Sequence, residues 1–384
     1  MSTSVVVLGA GYAGAAAVTA LESLNHDLDL HWISEHPYHF VLHESHRVIS
    51  TPAAAEAITI PVERIKTPAT EFIEAKVTGL DTTDRVVELA TGESVGYDYA
   101  LIALGSRTAF YGIPGLKEHG LTLKSREEAQ AIHQAVRTAS TEATPADPAE
   151  VVVGGAGLSG IQVAGEVAAY RDERTAPIEI HLVEALDEVF PGRDPALQRR
   201  LREGLQAAGV TLHLDAPIVE AAEDVIQFDE RDPLEYDVLV WTGGITGRDE
   251  LANTDLSADH NRLHAESDFR TSDDRVFAIG DTALIEQDED TVAPPTAQAA
   301  WGAAEVAAEN IVRATSGQPL QSWTHQDKGT LVSIGDRAYA HDVVGIPITT
   351  FDGKPAQLLK KFVAARWIAD ITSWRRAARA WTYL

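Results

Sequence analysis

Two short glycine-rich segments carry the clearest chemical signal in this sequence. Glycines stand at positions 9, 11 and 14, and again at positions 155, 157 and 160, so the spacing G-x-G-x-x-G occurs twice. The first glycine of such a loop permits a tight turn, the second lets the backbone approach a pyrophosphate, and the third lets a helix pack on a strand. Free N–H groups at the start of that helix bind the phosphates. Each segment therefore predicts a dinucleotide-binding loop.

An acidic residue follows each loop at a distance suited to binding a ribose. Glu35 lies 21 residues after Gly14, and Glu184 lies 24 residues after Gly160. In dinucleotide-binding folds, a carboxylate about 20 residues beyond the loop accepts hydrogen bonds from ribose hydroxyls. A carboxylate at this place also repels a 2′-phosphate, so Glu184 favours NADH over NADPH.

Strands and helices must position these loops, and the sequence offers them in the required order. Residues 4–8 and 150–153 are short, largely apolar runs of the kind that form buried parallel strands. Residues 15–24 and 161–170 suit helices, and residues 28–34 and 178–183 suit the next strands. The two copies start 146 residues apart, at Gly9 and Gly155, which indicates a duplicated architecture. We predict an α/β fold with two Rossmann-like domains.

Composition excludes several classes of function. The chain has 384 residues and a formal net charge of −27, and nucleic-acid binding needs a cationic surface. It has no cysteine, which excludes disulfides, thiolate metal sites and catalytic thiols. Only 8 of its 31 basic residues are lysines, and we interpret this acidic, lysine-poor surface as a halophile-like adaptation. The uncharged run 2–21 lacks the basic start of a signal peptide, so we expect a strand and helix there.

Further segments connect the two loops to a known superfamily. Residues 97–105 and 236–244 each begin with Tyr-Asp, continue as an apolar strand and end in glycine, while residues 276–281 end in Gly280 and Asp281. Together these features resemble the two-dinucleotide-binding-domain flavoproteins, in which the first loop binds FAD and the inserted second loop binds NAD(P)H. PYHF at 37–40, PPTAQAA at 294–300 and DKG at 327–329 are similar to segments of the type II NADH dehydrogenases (NADH:quinone oxidoreductases).

The resemblance implies a domain division and a set of site residues. An FAD domain would comprise residues 1–110 and 246–318, an inserted NADH domain residues 111–245, and an interface region residues 319–384. The implied FAD residues are Gly9, Gly11, Gly14, Glu35, His36, Val77, Ala103, Gly105, Gly280, Asp281, Gln298 and Ala299. The implied NADH residues are Gly155, Gly157, Gly160, Glu184, Gly243 and Gly244. The implied quinone residues are Gln298, Trp301 and Gly302, and the implied catalytic residues are Gln162, Lys328 and Gln298.

Two of these positions depart from the family pattern. Gln162 stands where the family usually has glutamate, and an amide cannot titrate. Gly302 stands where the family has the second glutamine of Ala-Gln-x-Ala-x-Gln. Both departures fall near the expected quinone pocket, and neither falls on the glycine loops. Lys328 could neutralise negative charge on the reduced flavin or on a quinone anion, or form an ordinary salt bridge.

Three functions are compatible with these residues. Disulfide reductases and sulfide:quinone reductases on this fold need a redox cysteine, so both are excluded. The resemblance implies hydride transfer from NADH to FAD and two electrons passed on to a quinone. A soluble NADH-dependent flavoprotein that reduces a carrier protein is the first alternative. An FAD-containing NADH sensor without turnover is the second, and the departures at Gln162 and Gly302 keep it open.

The last 31 residues differ in charge from the rest of the chain. Residues 354–384 carry seven basic residues and one acid, and Trp367, Trp374 and Trp381 recur every seven residues. On one continuous helix these tryptophans share a face. We predict an amphipathic helix on a membrane surface, which the resemblance also implies, at the cytoplasmic face of the cell membrane. The alternative is a helix that docks on the body of the protein or on a partner subunit, for example in a homodimer.

Four histidines cluster just after the first acidic residue: His36, His39, His43 and His46. Histidine and carboxylate together can hold zinc, but the surrounding residues suit an FAD-domain loop. We therefore predict no metal and expect these histidines to be loop and surface groups near the flavin. Glu166 lies four residues after Gln162 on the same helix face and is either buried with a shifted pKa or solvated.

Overall fold

The computed structural model describes residues 2–24, 27–252, 254–288 and 291–384. The helices are α1 (Tyr12–Ser23), α2 (Arg47–Ser50), α3 (Ala54–Ala57), α4 (Leu116–His119), α5 (Arg126–Glu142), α6 (Leu158–Arg174), α7 (Pro195–Ala207), α8 (Ala297–Thr315), α9 (Lys354–Ile371) and α10 (Trp374–Ala380). The strands are β1 (Thr3–Leu8), β2 (Leu28–Ser34), β3 (Tyr38–Phe40), β4 (Thr59–Pro61), β5 (Thr70–Glu74), β6 (Val77–Asp81), β7 (Val86–Leu89), β8 (Ser94–Gly96), β9 (Tyr99–Ile102), β10 (Arg107–Thr108), β11 (Ala149–Gly154), β12 (Ile178–Val183), β13 (Val210–His213), β14 (Ile218–Ala221), β15 (Val225–Phe228), β16 (Leu234–Glu235), β17 (Val238–Trp241), β18 (Ile245–Thr246), β19 (Ala258–Asp259), β20 (Arg262–Ala265), β21 (Val276–Ala278), β22 (Ala283–Ile285), β23 (Thr330–Ile334), β24 (Arg337–His341) and β25 (Thr350–Asp352).

The first glycine loop belongs to a parallel sheet with the strand order β21-β9-β1-β2-β5. Val5, Val6 and Val7 on the central strand are fully buried, because side chains cover both faces of the sheet. The alanine-rich helices α1 and α8 pack on each other. Their small side chains allow close approach, so the start of α8 lies near the glycine loop at the start of α1.

The second glycine loop belongs to a second parallel sheet, ordered β13-β12-β11-β17. The side chains of Val151 and Val153 belong to the main core, in which α5, α6 and α7 also place buried residues. Val152 and Leu239 point to the other face and pack with residues of β14 and β15. Two Rossmann-like units are therefore present, and the predicted duplication and fold class are confirmed.

Two short strands connect the units. The chain leaves the first unit through β10 and returns through β18, and these strands pair antiparallel, with Arg107 opposite Thr246 and Thr108 opposite Ile245. The outgoing and returning segments thus lie side by side. This pairing holds the C-terminal edges of the two parallel sheets close to each other.

The C-terminal region forms the antiparallel sheet β23-β24-β25 followed by α9 and α10. The predicted continuous helix with three tryptophans on one face is wrong. The helix ends at Ile371, and the Ser373 hydroxyl accepts a hydrogen bond from Arg376 N to start α10. Trp367 is fully buried, whereas Trp374 is 59% exposed. Within the described ranges, we find no helix with both the length and the hydropathy needed to cross a membrane.

Candidate functional site

One cavity of about 1870 Å³ lies between the two parallel sheets and the C-terminal helix α9. Both glycine loops open into it, the first through Gly9 and Gly11 and the second through Gly157. The segment after β21 and the start of α8 form a further wall, and residues of α9 close one end. The cavity therefore brings both predicted dinucleotide sites into one continuous space.

The first glycine loop has the packing that FAD binding requires. Gly9 has φ of +105°, in the left-handed region, and a Cβ there would overlap Ala103 O. A Cβ on Gly14 would overlap Gly9 O, so this glycine allows α1 to pack on the loop. Gly11 has φ of −74°, and a Cβ there would meet no protein atom within 4 Å. The space beside Gly11 opens into the cavity, and a pyrophosphate fits it.

The second loop repeats this geometry. Gly155 has φ of +91°, a Cβ on Gly160 would overlap Gly155 O, and Gly157 again faces open space. No side chain caps the start of α1 or α6, because the residue before each helix is a glycine. The first N–H groups of both helices are therefore available to an anion.

The two predicted ribose-binding carboxylates lie in different settings. Glu35 lines the cavity, as the spacing predicts. Glu184 does not line it, and its carboxylate accepts hydrogen bonds from Ala156 N at 2.7 Å and from Leu186 N at 3.1 Å. Glu184 thus stabilises the second loop through backbone amides in this structure. The negative charge of Glu184 lies beside the second loop whether the carboxylate binds these backbone amides or a ribose.

Ser106, Lys124 and Arg262 form a polar cluster around the predicted residue Asp281, and sequence patterns did not indicate these three partners. The Ser106 hydroxyl donates to Asp281 Oδ2 at 2.9 Å, and Lys124 Nζ donates to Ser106 Oγ at 3.1 Å. Arg262 Nε donates to the Asp281 carbonyl oxygen at 2.8 Å. Burial lowers the pKa of Lys124, although Asp281 opposes that shift. Ser106 directly follows the predicted Gly105, but no sequence spacing pointed to Lys124.

Most predicted site residues surround the cavity. Those that line it are Gly9, Gly11, Glu35, His36, Val77, Ala103, Gly105, Gly157, Gln162, Gly280, Asp281, Gln298, Trp301, Gly302 and Lys328. Those outside its lining are Gly14, Ala299, Gly155, Gly160, Glu184, Gly243 and Gly244. A Cβ on Gly243 would overlap the Trp241 ring, and Gly244 has φ of +145°, a backbone conformation that favours glycine. Ala299 is buried in the first turn of α8.

Gln162 is buried at the end of the cavity near α9. Its amide Nε2 lies 2.9 Å from His46 Nε2 and donates to Ser333 Oγ at 3.2 Å. Trp301 packs edge-on against Trp367, with ring centroids 4.9 Å apart. Gln298 Nε2 donates to Gln326 O at 3.3 Å, which links the start of α8 to the segment that carries Lys328. Aromatic rings and side-chain amides therefore line this end of the cavity, whereas the glycine loops line the other parts of it.

The prediction that the histidines are loop and surface groups is wrong for His39 and His46, which are buried. His39 Nδ1 donates to Ala10 O at 2.9 Å, and its Nε2 accepts from the Trp367 indole at 2.9 Å. This bridge ties α9 to the first glycine loop and explains why Trp367 faces inward. Burial lowers the pKa of His39 to about 4, so the ring is neutral, as both hydrogen bonds require.

Four charged side chains form a buried network beside this end of the cavity. Lys360 on α9 donates to Glu44, and Arg47 lies 3.4 Å from Glu44 and 2.7 Å from Glu166. Glu166 also accepts from the Ser50 hydroxyl. Burial raises the pKa of Glu166, whereas at Glu44 the effect of burial is outweighed by the positive charge of Lys360 and its neighbours, so that pKa is lowered. Of the two alternatives for Glu166, the buried one is correct.

Comparisons with known proteins agree with this architecture. The profile of the family described as Pyridine nucleotide-disulphide oxidoreductase matches residues 3–304. The chain is 28% identical to the type II NADH:quinone oxidoreductase of Staphylococcus aureus, covering 96% of this chain and 95% of that protein.

Solved structures of other proteins share the fold, including these two. The NDH2 structure from Plasmodium falciparum in complex with NADH aligns with a TM-score of 0.84 at 15% identity, over 100% of this chain and 98% of that chain. The sulfide:quinone oxidoreductase of Aquifex aeolicus aligns with a TM-score of 0.78 at 20% identity, over 96% and 91%. The chain has no cysteine, so it cannot carry out disulfide chemistry. It nevertheless belongs to the pyridine nucleotide-disulphide oxidoreductase family, as the matched profile, the two glycine loops and the two parallel sheets show.

Proposed function

We propose that this protein is an FAD-dependent NADH:quinone oxidoreductase of the type II class. The observation that carries the proposal is the single cavity into which both glycine loops open. A nicotinamide bound at the second loop can meet a flavin bound at the first without crossing protein. The overall similarity to type II NADH:quinone oxidoreductases supports the same reaction.

The chain's own residues bind and orient the reactants. FAD, when bound, supplies hydride acceptance and electron transfer. The backbone at Gly11 and the start of α1 hold one pyrophosphate, and the backbone at Gly157 and the start of α6 hold the other. Glu35 accepts hydrogen bonds from the FAD ribose, and the charge of Glu184 disfavours a 2′-phosphate, so NADH is the preferred donor.

The acceptor end has residues suited to a quinone. Trp301 and Trp367 provide flat apolar walls, and the Gln298 amide, which donates one hydrogen to Gln326 O, has a second hydrogen for a quinone oxygen. The Gln162 amide nitrogen already contacts His46 and Ser333, so Gln162 holds these side chains at the end of the cavity. Lys328 lines the cavity and supplies positive charge for a reduced, anionic acceptor. Because Gln162 cannot titrate, we assign it to orientation rather than to proton transfer.

An anaerobic spectral titration tests the proposed reaction. Adding NADH to the FAD-loaded protein should bleach the flavin band at about 450 nm, and a soluble quinone analogue should restore it. Recovery with a basic carrier protein but not with the quinone would replace the proposal by the carrier-reductase alternative. Bleaching that no acceptor reverses would favour the sensor.

The same proposal includes peripheral attachment at the cytoplasmic face of the cell membrane. Leu358, Phe362 and Val363 on α9 are exposed, and the Phe362 and Trp374 rings stack with centroids 6.3 Å apart. Phe362 and Val363 also line the cavity, so this apolar surface adjoins the acceptor end. A lipid-soluble quinone could enter from the bilayer at this point. Basic Arg366 and Arg375 flank the surface and suit anionic lipids.

Replacing both Phe362 and Trp374 by serine should weaken binding to anionic lipid vesicles about tenfold or more, because two apolar side chains no longer enter the bilayer. Sedimentation with vesicles of phosphatidylglycerol and phosphatidylcholine measures the partitioning. Tyr111→Ser is the matched control, since Tyr111 is 68% exposed elsewhere on the surface. Equal partitioning of all three proteins would remove the membrane surface from the proposal and favour a homodimer contact. Point variants are needed because deleting residues 354–384 would also remove the buried Trp367 and Lys360.

We also propose the domain division 1–110 and 246–318 for FAD, 111–245 for NADH and 319–384 for the interface region. The antiparallel pairing of β10 with β18 supports the boundaries near residues 110 and 246. The separate sheet β23-β24-β25 supports a distinct C-terminal region.

A further inference from the structure

A second cluster of ligand-type side chains lies on the NADH-binding unit, away from the redox cavity. Glu150 on β11 and Glu179 and His181 on β12 share one face of the parallel sheet, and His213 lies on the neighbouring β13. Glu150 is the second residue of the strand whose other end leads to the glycine loop at Gly155. Glu150 and Glu179 thus lie toward the opposite edge of the sheet from the glycine loop, whereas His181 lies within β12 and His213 ends β13, where its carbonyl oxygen accepts a hydrogen bond from Glu184 N. None of the four residues lines the cavity.

The fold gives Glu150 a favourable partner in His181, but it also places Glu179 beside Glu150. Glu150 and Glu179 are direct neighbours in the register of two parallel strands. Like charges opposite each other on neighbouring strands destabilise a sheet. His181 is 8% exposed and lies with its Nε2 only 2.7 Å from Glu150 Oε2. A second carboxylate near this Glu150–His181 pair is an arrangement that a divalent cation would stabilise.

The positions of the ligand atoms fit such an ion. In the part of the chain that the structure describes, Glu150, Glu179 and His181 form the group whose ligand atoms all lie within 4.8 Å of one another. Zinc binds imidazole nitrogen and carboxylate oxygen at about 2.0–2.2 Å, which separates two tetrahedral ligands by about 3.3 Å. Glu179 is exposed and Glu150 half-buried, so small torsional changes bring their carboxylates to that spacing from His181.

His213 supports the ligand geometry. Its Nε2 lies 3.0 Å from His181 Nδ1, so a neutral His213 can accept a hydrogen bond from that nitrogen and leave His181 Nε2 free for an ion. A ligand histidine whose other nitrogen is held by a second group is the usual arrangement in metal sites.

We propose that Glu150, Glu179 and His181 bind a divalent transition-metal ion of the zinc type, with His213 as the residue that positions the His181 ring. The set of one imidazole and two carboxylates favours Zn²⁺ over Ca²⁺ and Mg²⁺, which prefer oxygen ligands alone. The ion joins β11 to β12 and neutralises the carboxylate pair. Three protein ligands leave one coordination position for water, and the site lies outside the cavity proposed for electron transfer.

The first parallel sheet contains a matched control. His31 on β2 also lies between two carboxylates, with Asp29 3.5 Å from Nε2 and Glu71 3.3 Å from Nδ1. Because these carboxylates face opposite nitrogens of the ring, they cannot bind one ion together with it. His31→Gln therefore removes a histidine of similar charge environment without removing the proposed ligand set.

Calorimetric titration of the metal-stripped, FAD-loaded chain with Zn²⁺ tests the proposal. We expect one saturable site, weakened at least tenfold by Glu179→Gln and by His181→Gln, and unchanged by His31→Gln. His213→Phe should weaken binding about tenfold while the stoichiometry stays at one. Glu179 is exposed, so Glu179→Gln remains informative even if His181→Gln fails to fold.

The melting temperature gives a second readout that does not depend on the flavin. It should rise with Zn²⁺ in the unmodified chain and in His31→Gln, but not in Glu179→Gln. Absence of saturable binding would overturn the proposal. So would equal losses in His31→Gln and His181→Gln, or tighter binding of Ca²⁺ than of Zn²⁺.

Discussion

Replacing Lys360 by methionine should lower the free energy of unfolding by about 3–5 kcal/mol, because removal of one partner leaves a buried charge uncompensated. Lys360 is buried and donates to Glu44, which is itself fully buried. The network contains two acids and two bases, so the loss of Lys360 leaves Arg47 to balance both Glu44 and Glu166. Denaturant unfolding with FAD in excess, monitored by tryptophan fluorescence, measures the change.

The neighbouring lysine is the matched control. Lys361 is on the same helix and only partly buried, so Lys361→Met should change the unfolding free energy by about 0.5 kcal/mol or less. Adding Glu44→Gln to Lys360→Met should recover part of the loss, since it removes the unpaired carboxylate. Equal effects at Lys360 and Lys361, or additive losses in the double variant, would show that the buried pair is not an energetic unit.

The network also illustrates what local sequence patterns cannot predict. Glu44 and Lys360 are 316 residues apart in the chain. Nothing in either segment indicates the other, since pairing depends on where α9 docks. The same applies to His39, whose burial follows from its bridge between Ala10 and the Trp367 indole. A histidine in a polar loop segment gives no sign of such a partner.

The glycine loops could be predicted because most of the residues they depend on are close in sequence. Their function depends on residues within one strand, one turn and one helix, and every requirement falls within about 30 residues. A Cβ on Gly14 would overlap Gly9 O, a local contact that sequence spacing describes directly, whereas Gly9 itself packs against Ala103 from a distant part of the chain. Glu184 was placed correctly beside its loop, but the direction of its carboxylate depends on the amides of Ala156 and Leu186.

The seven-residue spacing of the tryptophans led to a wrong prediction, because it holds only within one continuous helix. A seven-residue interval predicts one face only while the helix continues, and the turn at Thr372 and Ser373 ends it. Trp367 then belongs to the core and Trp374 to the surface. The docked alternative is correct for one face of α9, and the apolar side chains that another face exposes leave membrane binding a prediction.

The largest functional effects are expected from alanine at the second glycine of each loop. Gly11→Ala should weaken FAD binding about tenfold or more, because the added methyl group occupies space needed by the pyrophosphate. Gly157→Ala should leave FAD bound and raise KM for NADH about tenfold or more, with a smaller change in kcat. Flavin content after gel filtration and stopped-flow reduction by NADH measure the two effects separately.

These variants are informative because neither should disturb the protein itself. An added Cβ meets no protein atom within 4 Å at either position, and φ of −74° at Gly11 and −73° at Gly157 suits alanine. Gly96→Ala, at the end of β8 with its nearest neighbouring atom 4.0 Å away, is the control outside the cavity. Unchanged FAD binding in Gly11→Ala would contradict the first site, and loss of FAD in Gly157→Ala would contradict the separation of the two loops. If Gly11→Ala weakens only FAD binding and Gly157→Ala weakens only NADH binding, each effect comes from the space that the ligand occupies. No protein atom lies close enough to either added methyl group to cause it.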